Sequence, residues 1–270
     1  MDSGLISNLP WLPLPVLIWA VTMAVFHAAG LLLEQADRTK VLAPFKVREA
    51  DKLSYVALLP RVLFNQTFVL LPTMIVFQRL GLAFTGGPHI GLWHFLAALV
   101  FLGIGHDVVQ YAFHRFLLHR PSLFRKLGHS LHHSTGAARA ISACYMSAAD
   151  FFLEIVLPYL VPLALVGAGT DLSFHFTIAS LGALGGLYEH SGYDFAVRLR
   201  GEEKPGGRYR LVAVLAQLIT SKAHGEHHRR GNVSYSDGFG SPGICDTFFK
   251  TRWDLTGRQK GRREPRLRAR

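Results

Sequence analysis

The chain has 270 residues, of which 50% are hydrophobic and 17% are charged, and its formal net charge is +11. Soluble domains carry about 25% charged residues, so this composition excludes an ordinary soluble domain and favours a membrane protein. The two cysteines are too few for a disulfide framework or a paired-cysteine zinc site, and they suit a reducing compartment.

Five apolar segments follow one another along the chain, at 11–33, 62–80, 89–105, 151–169 and 172–188. The first is long enough to span a membrane, the next two are further candidates, and the last two form a predicted hairpin. We therefore predict an all-α fold in a single membrane domain, 1–270. Transmembrane helices occupy 11–105, a histidine-box catalytic region occupies 106–252 with its membrane hairpin at 151–188, and a basic disordered tail occupies 253–270.

The lysines and arginines are distributed unevenly about these segments. None precedes the first segment, six lie between the first and the second, five follow the third and seventeen follow the hairpin, and Arg79 is the exception. Because cytosolic loops are enriched in Lys and Arg, we predict that the N-terminus is outside and the C-terminus is cytosolic. The same bias accounts for the basic charge, so we expect no nucleic acid as a partner.

The pattern His-x-x-His-His occurs twice, as HSLHH at 129–133 and as HGEHH at 224–228. Residues three and four positions apart share one face of a helix, so each motif presents its imidazoles together. The predicted topology places both motifs in a helical cap on the cytosolic face, where six imidazoles can meet a common centre.

A third group of histidines lies in HDVVQYAFHRFLLH at 106–119. His114 and His119 are five residues apart, about 140° around an ideal helix, so they share a face only at a helix end or a π-type bulge. We predict such an irregularity, because π-bulges are frequent at functional sites. With His190 in YEHSGYD, the candidate metal ligands are His114, His119, His129, His132, His133, His190, His224, His227 and His228.

This many imidazoles exceeds the four ligands of a structural zinc. Two metals with open positions suit the set better, and imidazole binds iron, zinc, copper and nickel alike. His106 adjoins the set, and we interpret it as an accessory or helix-end histidine rather than a ligand.

The motifs resemble those of the membrane fatty acid hydroxylase/sterol desaturase superfamily, whose three histidine boxes read HxxxxH or HxxxH, then HxxHH twice. This chain has HRFLLH, HSLHH and HGEHH, with DVVQYAFHR leading into the first box. HSGYD and YMSAAD resemble elements of the subgroup of C4-methyl sterol oxidases and cholesterol 25-hydroxylase. Asn232 and DTFFKT resemble the elements that follow box three, so the resemblance covers about residues 100 to 252.

The resemblance implies a non-haem di-iron oxygenase, with two iron ions as cofactor and O2 as co-substrate, which hydroxylates a C–H bond of a lipid. HSGYD favours a sterol or isoprenoid-like substrate, and a fatty acyl chain is the other candidate. The nine histidines would be the metal ligands. Asp107, Tyr111, Asp150 and Asp194 are candidates to orient ligand imidazoles through their other nitrogen.

The chain departs from the family pattern at three positions. Cys245 and Lys250 replace a usual Trp and Gly, and Gly186 stands where fatty acid 2-hydroxylases have a further histidine. One metal ligand is therefore either missing or supplied by Glu189 or water. No cytochrome b5-like segment accompanies the boxes, so we expect a separate electron donor of the ferredoxin or cytochrome b5 type with its reductase.

Two other functions stay open at this point. A lipid or sterol desaturase uses the same boxes, and a histidine-rich membrane metal-binding or transport protein would also carry clusters of imidazoles. Transport predicts polar ligands inside the spans near the midplane, whereas these clusters lie in charged loops. GFGSPG at 238–243 matches GxGxxG, but no strand precedes it and its proline opposes a helix start, so we interpret it as a turn.

His132→Ala tests the interpretation of box two. We expect the variant to lose activity and to bind less metal while it still inserts into the membrane, because one imidazole leaves the ligand set. Turnover assays and elemental analysis of the membrane-extracted protein measure both effects. Full activity would remove box two from the site.

Overall fold

The structure is a computed structural model that describes residues 13–49, 53–87, 89–167, 171–197, 216, 218–236, 238, 241 and 243–256. Helices carry the fold in these ranges, which confirms the predicted all-α class. Of the predicted tail at 253–270, residues 253–256 are helical and residues 257–270 lie outside the described residues. The first two residues of the segment at 11–33 and half of the GFGSPG turn also lie outside them.

The helices are, in chain order, α1 (Leu14–Thr39), α2 (Tyr55–Arg79), α3 (Leu92–Leu118), α4 (Pro121–Phe124), α5 (His129–His133), α6 (Ala148–Leu165), α7 (Leu172–His190), α8 (Lys222–Arg230) and α9 (Ile244–Phe248). Among the described residues, α1, α2, α3 and α6 are long and apolar enough to cross a membrane. The segment predicted at 172–188 is also helical, but α7 is not among these candidate spans. Its histidines and Glu189 lower its mean hydropathy.

Side-chain caps begin three of these helices. Ser54 accepts a hydrogen bond from the amide of Ala57 at the start of α2, Ser147 accepts one from Asp150 in α6, and Asp171 accepts one from Phe174 in α7. Each cap satisfies a backbone amide that has no partner within the helix.

Three of the long helices contain a π-turn, at Gln66–Leu70, His114–Leu118 and Phe152–Val156. In α2 and α6 a proline, Pro72 or Pro158, follows the turn by two residues. Proline has no amide proton for the carbonyl four residues earlier, so a change of helical register is favoured there.

The π-turn of α3 is the irregularity that the histidine spacing predicts. The amide of His119 donates to the carbonyl of His114, five residues back, over 2.9 Å. The extra residue in the turn rotates the two side chains onto one face, and their ring centroids lie 4.9 Å apart.

The long helices pack closely, α7 against α1 and α6 against α3. Ile18, Leu58 and Met74 are fully buried in the core between them. Gly105 permits the close approach of α3 to α6, because a Cβ atom there would lie 2.8 Å from Cβ of Pro162. Small residues at such contacts are typical of helix packing in membranes.

The segment after α1 ties several helix ends together. Lys46 Nζ donates to Asp37 Oδ1 over 2.6 Å and to the carbonyl of Ser191 over 2.7 Å. Arg48 donates to the carbonyl of Glu189 over 2.7 Å. The end of α1 and the end of α7 therefore lie on the same side of the molecule, where the histidine motifs also gather.

Gly105→Ala should lower the thermal midpoint of the detergent-solubilised protein, because overpacking a tight contact costs about 1–3 kcal/mol. Gly103→Ala is the matched control on the same helix, since nothing lies within 4 Å of a Cβ atom at 103. The thermal midpoint of Gly103→Ala should be unchanged or higher, because alanine favours a helix over glycine by about 1 kcal/mol. Equal midpoints for the two variants would contradict the contact between α3 and α6.

Candidate metal centre

The nine predicted histidines gather in two adjacent sets. The first histidine set contains His114, His119, His129, His133 and His227, and the second histidine set contains His132, His190, His224 and His228. Within each set the ligand nitrogens all lie within 4.8 Å of one another. The two sets adjoin, since the rings of His133 and His228 have centroids 4.6 Å apart.

The Nε2 atoms of the first set have the spacing of ligands on one metal. His119 Nε2 lies 3.0 Å from His129 Nε2, 3.2 Å from His133 Nε2 and 3.1 Å from His227 Nε2. With a metal–nitrogen bond of about 2.1 Å, two ligands at right angles lie about 3.0 Å apart. The set therefore has the size of a coordination shell without any movement of its rings.

Hydrogen bonds at the opposite nitrogen fix which atom faces the centre. Nδ1 of His114 donates to the carbonyl of Tyr235 over 2.6 Å, and Nδ1 of His227 donates to that of Val233 over 2.7 Å. Because a carbonyl only accepts, the proton of each neutral ring is on Nδ1 and the lone pair is on Nε2. Lone pairs only about 3 Å apart repel unless a cation lies between them.

The second set contains buried nitrogens that lack a partner. His190 Nε2 and His224 Nε2 lie 2.7 Å apart. Neither ring nitrogen of His132 or of His228 has a hydrogen-bond partner among the described residues. Buried polar atoms are nearly always satisfied, and a metal ion bound at Nε2 would satisfy one nitrogen of each ring.

The two sets explain why the His-x-x-His-His pattern occurs twice. On α5 the outer pair, His129 and His133, belongs to the first set, and the middle residue, His132, belongs to the second. The motif on α8 has the reverse arrangement: its outer pair lies in the second set and its middle histidine lies in the first. Adjacent residues on a helix point about 100° apart, so each motif supplies ligands to both centres.

Burial favours the neutral form of several of these imidazoles, among them His132, His133, His227 and His228. It lowers the pKa of His133 to about 3, with a further contribution from His129. Burial also lowers the pKa of His132, His227 and His228 well below the ordinary histidine range. A lowered pKa means that the ring is unprotonated at neutral pH, which is the form that binds a metal.

Gly128 lets α5 pack against the start of α6. Its φ is +78°, and a Cβ atom there would lie 2.6 Å from Cβ of Ser147. Ser147 donates from its hydroxyl to the carbonyl of Leu127. Glycine meets both demands, since it adopts positive φ without strain and leaves room for the serine. The first histidine of box two is thereby placed beside Asp150.

Of the four predicted orienting residues, Asp150 contacts an imidazole directly. Its Oδ1 accepts a hydrogen bond from Nδ1 of His129 over 2.9 Å, and both side chains are fully buried. Asp194 lies beside box three and accepts a hydrogen bond from the hydroxyl of Thr220 over 3.0 Å. Orienting roles for these residues stay predictions.

Asp107 and Tyr111 instead contact the segment that follows box three. Asp107 accepts hydrogen bonds from the amides of Ile244 and Cys245, each over 2.9 Å, at the start of α9. The ring of Tyr111 stacks on Phe249 with the centroids 5.1 Å apart. These contacts anchor α9, and through it they act on the histidines only indirectly.

Asp246 on α9 completes that indirect connection. Its carboxylate accepts hydrogen bonds from the amides of Tyr235 and Ser236, over 3.0 and 2.7 Å. The loop is thereby held where the carbonyls of Tyr235 and Val233 meet His114 and His227. Sequence reasoning noted DTFFKT only as a resemblance and did not identify this role.

Two further residues at the site were missed by sequence reasoning. Glu154 is 4% exposed, and its Oε1 lies 3.6 Å from His114 Nε2. Arg48 donates to the carbonyls of Ala137 and Ser221, over 2.9 and 3.2 Å, and so joins the loop after box two to the start of box three. An acid inside an apolar run was the signal for Glu154, whereas a loop arginine gave none.

The residues present fit a pair of bound metal ions. The donors are neutral imidazoles, their nitrogens have ligand spacing, and buried carboxylates stand beside them. His106 is in neither set, in keeping with its interpretation as an accessory histidine.

A comparison with protein-family models matches residues 99–251 to the model described as fatty acid hydroxylase. The matched segment is more than half of the chain and contains all three histidine boxes. Neither a curated protein nor a solved structure matched the chain.

Asp150→Asn should weaken metal binding by roughly 10–100-fold, as is usual when a partner of a ligating histidine is lost. The expected cause is that His129 no longer has an anionic acceptor to hold its ring. Titration of the metal-free protein with Fe(II) or Co(II) measures the affinity. Asp171→Asn is the control, because Asp171 caps the distant end of α7, and equal affinities in the two variants would contradict the role of Asp150.

Proposed function

The chain belongs to the fatty acid hydroxylase family, and from that premise we propose that it is a membrane-bound non-haem di-iron oxygenase that hydroxylates a C–H bond of a lipid. The observation that carries the proposal is the convergence of nine buried or half-buried imidazoles in two adjacent sets. In the first set the Nε2 atoms lie about 3 Å apart, as ligands on one metal do.

Each histidine set would hold one iron ion. When bound there, iron with open coordination positions supplies redox chemistry with O2, which zinc lacks. The family membership supports iron as the metal, and the donor set is compatible with it. The five nitrogens of the first set and the four of the second leave positions for oxygen ligands.

The residues of the chain hold and shield this centre. Three rings are fixed by hydrogen bonds at Nδ1: His114 by the carbonyl of Tyr235, His227 by that of Val233 and His129 by the carboxylate of Asp150. The Nε2 lone pairs of these three rings therefore stay directed toward the centre. Burial of the rings excludes water, which limits side reactions of a reactive oxidant. The helix α3, which carries His114, exposes apolar side chains such as Phe101, Val108 and Phe116. These would offer a lipid chain or ring system a path from the bilayer.

A sterol or isoprenoid-like substrate is favoured within this proposal, with a fatty acyl chain as the other candidate. The preference depends on the resemblance of HSGYD at 190–194. In the structure Tyr193 donates its hydroxyl proton to Asp37 over 2.7 Å, and Asp194 accepts from Thr220. Through these contacts the motif supports His190 and the start of box three. Because such support does not depend on the substrate, an assay must identify the substrate.

The orientation proposed from the charge pattern places the N-terminus outside and the histidine centre at the cytosolic face. Lys46 and Arg48 support it, because they bind the helix ends next to the second histidine set. A cytosolic site also suits a separate ferredoxin or cytochrome b5-type donor and its reductase, from which two electrons per turnover would come. Desaturation would use the same centre, and product analysis separates it from hydroxylation.

Detergent-purified protein expressed with ample iron should contain about two irons per chain. Incubation with O2, a reductase–donor pair and a panel of sterols and fatty acids should give a product 16 mass units heavier for hydroxylation, or 2 lighter for desaturation, in the ordinary balance of O-atom insertion and hydrogen loss. Elemental analysis and mass spectrometry measure these. Folded protein that takes up no metal would refute the proposal, and metal transport without oxidation would favour the transport alternative.

A further inference from the structure

Glu154 is a buried acid that the function proposed above does not use. It lies in FFLEIV, an apolar run of α6, and its residue is 4% exposed. It also sits in the middle of the π-turn Phe152–Val156, and the π-turn of α3 likewise carries a candidate ligand, His114. An ionisable residue in a candidate span is costly to bury and marks a functional position by default.

The carboxylate of Glu154 lies at the junction of the two histidine sets. Its Oε1 is 3.6 Å from Nε2 of His114, in the first set, and 3.8 Å from Nε2 of His132, in the second. The other oxygen, Oε2, is 3.3 Å from Nδ1 of His129. That nitrogen gives its proton to Asp150, so Oε2 has no hydrogen-bond partner among the described residues.

We propose that Glu154 is an oxygen ligand that links the two metal ions, an inference that rests on the function proposed above. Two ligands on one metal lie about 3.0 Å apart at right angles and about 3.6 Å apart at 120°, for metal–ligand bonds of about 2.1 Å. The distance of 3.6 Å from Oε1 to His114 Nε2 is at the wide end of this range, and the distance of 3.8 Å to His132 Nε2 is slightly beyond it. A carboxylate has two oxygens, so it can serve both ions at once.

The side chain must turn slightly to reach this position. A carboxylate oxygen of Glu154 lies within 4.8 Å of the ligand atoms of His129 and Asp150, but not within that distance of every nitrogen of either histidine set. Metal binding would favour the ionised form of Glu154, and the attraction of that carboxylate to two divalent ions would drive the movement.

Glu154 also answers the question raised by Gly186. The second set has four histidines where the first has five, so an oxygen ligand beside His132 completes it. Glu189, the candidate from sequence, is placed less well. Its Oε2 lies 4.0 Å from Nδ1 of His224, whereas Nε2 of that ring faces His190 at 2.7 Å. Glu189 is therefore on the side of His224 that points away from the metal.

Glu154→Gln tests the inference, because glutamine preserves the size of the side chain but removes the anionic ligand. The variant should bind about half as much iron as the wild type, roughly one ion per chain instead of two. The Mössbauer spectrum of the iron that remains should also change. Glu34→Gln is the matched control, a buried acid of α1 that pairs with Arg139, and Glu189→Gln tests the rival residue; both should keep the wild-type iron content.

The outcomes separate this inference from the function on which it rests. Wild-type protein without two metals overturns both. If Glu154→Gln still binds two metal ions and its spectrum is unchanged, the inference is overturned but the proposed function stands. The same holds if Glu189→Gln loses metal and Glu154→Gln does not. If Glu154→Gln does not fold, infrared difference spectra of ¹³C-glutamate-labelled Glu189→Gln protein provide the test. Metal loading should shift glutamate carboxylate bands, and the absence of a shift would overturn the inference.

Discussion

The structure depends on holding nine imidazoles together in two adjacent sets. Nitrogen lone pairs about 3 Å apart repel one another, and burial opposes protonation of rings such as His133, whose pKa it lowers to about 3. Two kinds of interaction make the arrangement tenable. Hydrogen bonds at Nδ1 hold rings such as His114, His227 and His129 in one orientation, and cations at the centres would convert the repulsion into coordination.

The surrounding elements serve that requirement. The π-turn in α3 rotates His119 onto the face of His114, and α5 and α8 each divide their histidines between the two sets. Asp107 and Asp246 hold the segment after box three so that its carbonyls reach the rings. Much of the polar hydrogen bonding near the ends of the membrane helices is thus directed to the position of imidazoles, while the apolar helix surfaces remain available to lipid.

The proposed link through Glu154 changes the charge of the centre. Neutral histidines leave the full charge of two divalent ions in place, whereas Asp150 and Glu154 together offset part of it in a medium where unpaired charge is costly. This provides a physical reason for two acids one helical turn apart in an otherwise apolar span.

The sequence by itself determined the all-α class, the membrane character and the family, because these follow from composition and from short motifs with regular spacing. It also identified the nine histidines that gather in the two sets. The sequence also predicted an irregularity between His114 and His119, either a helix end or a π-turn, since residues five apart do not share a face of an ideal helix. Tertiary structure alone decided which histidine belongs to which set, and it revealed Arg48, Asp246 and Glu154. Those roles arise from contacts between segments up to 173 residues apart, and no local pattern records such distances. Asp107 and Tyr111 show the same limit, because their spacing marked a helix face but only packing showed that this face meets α9.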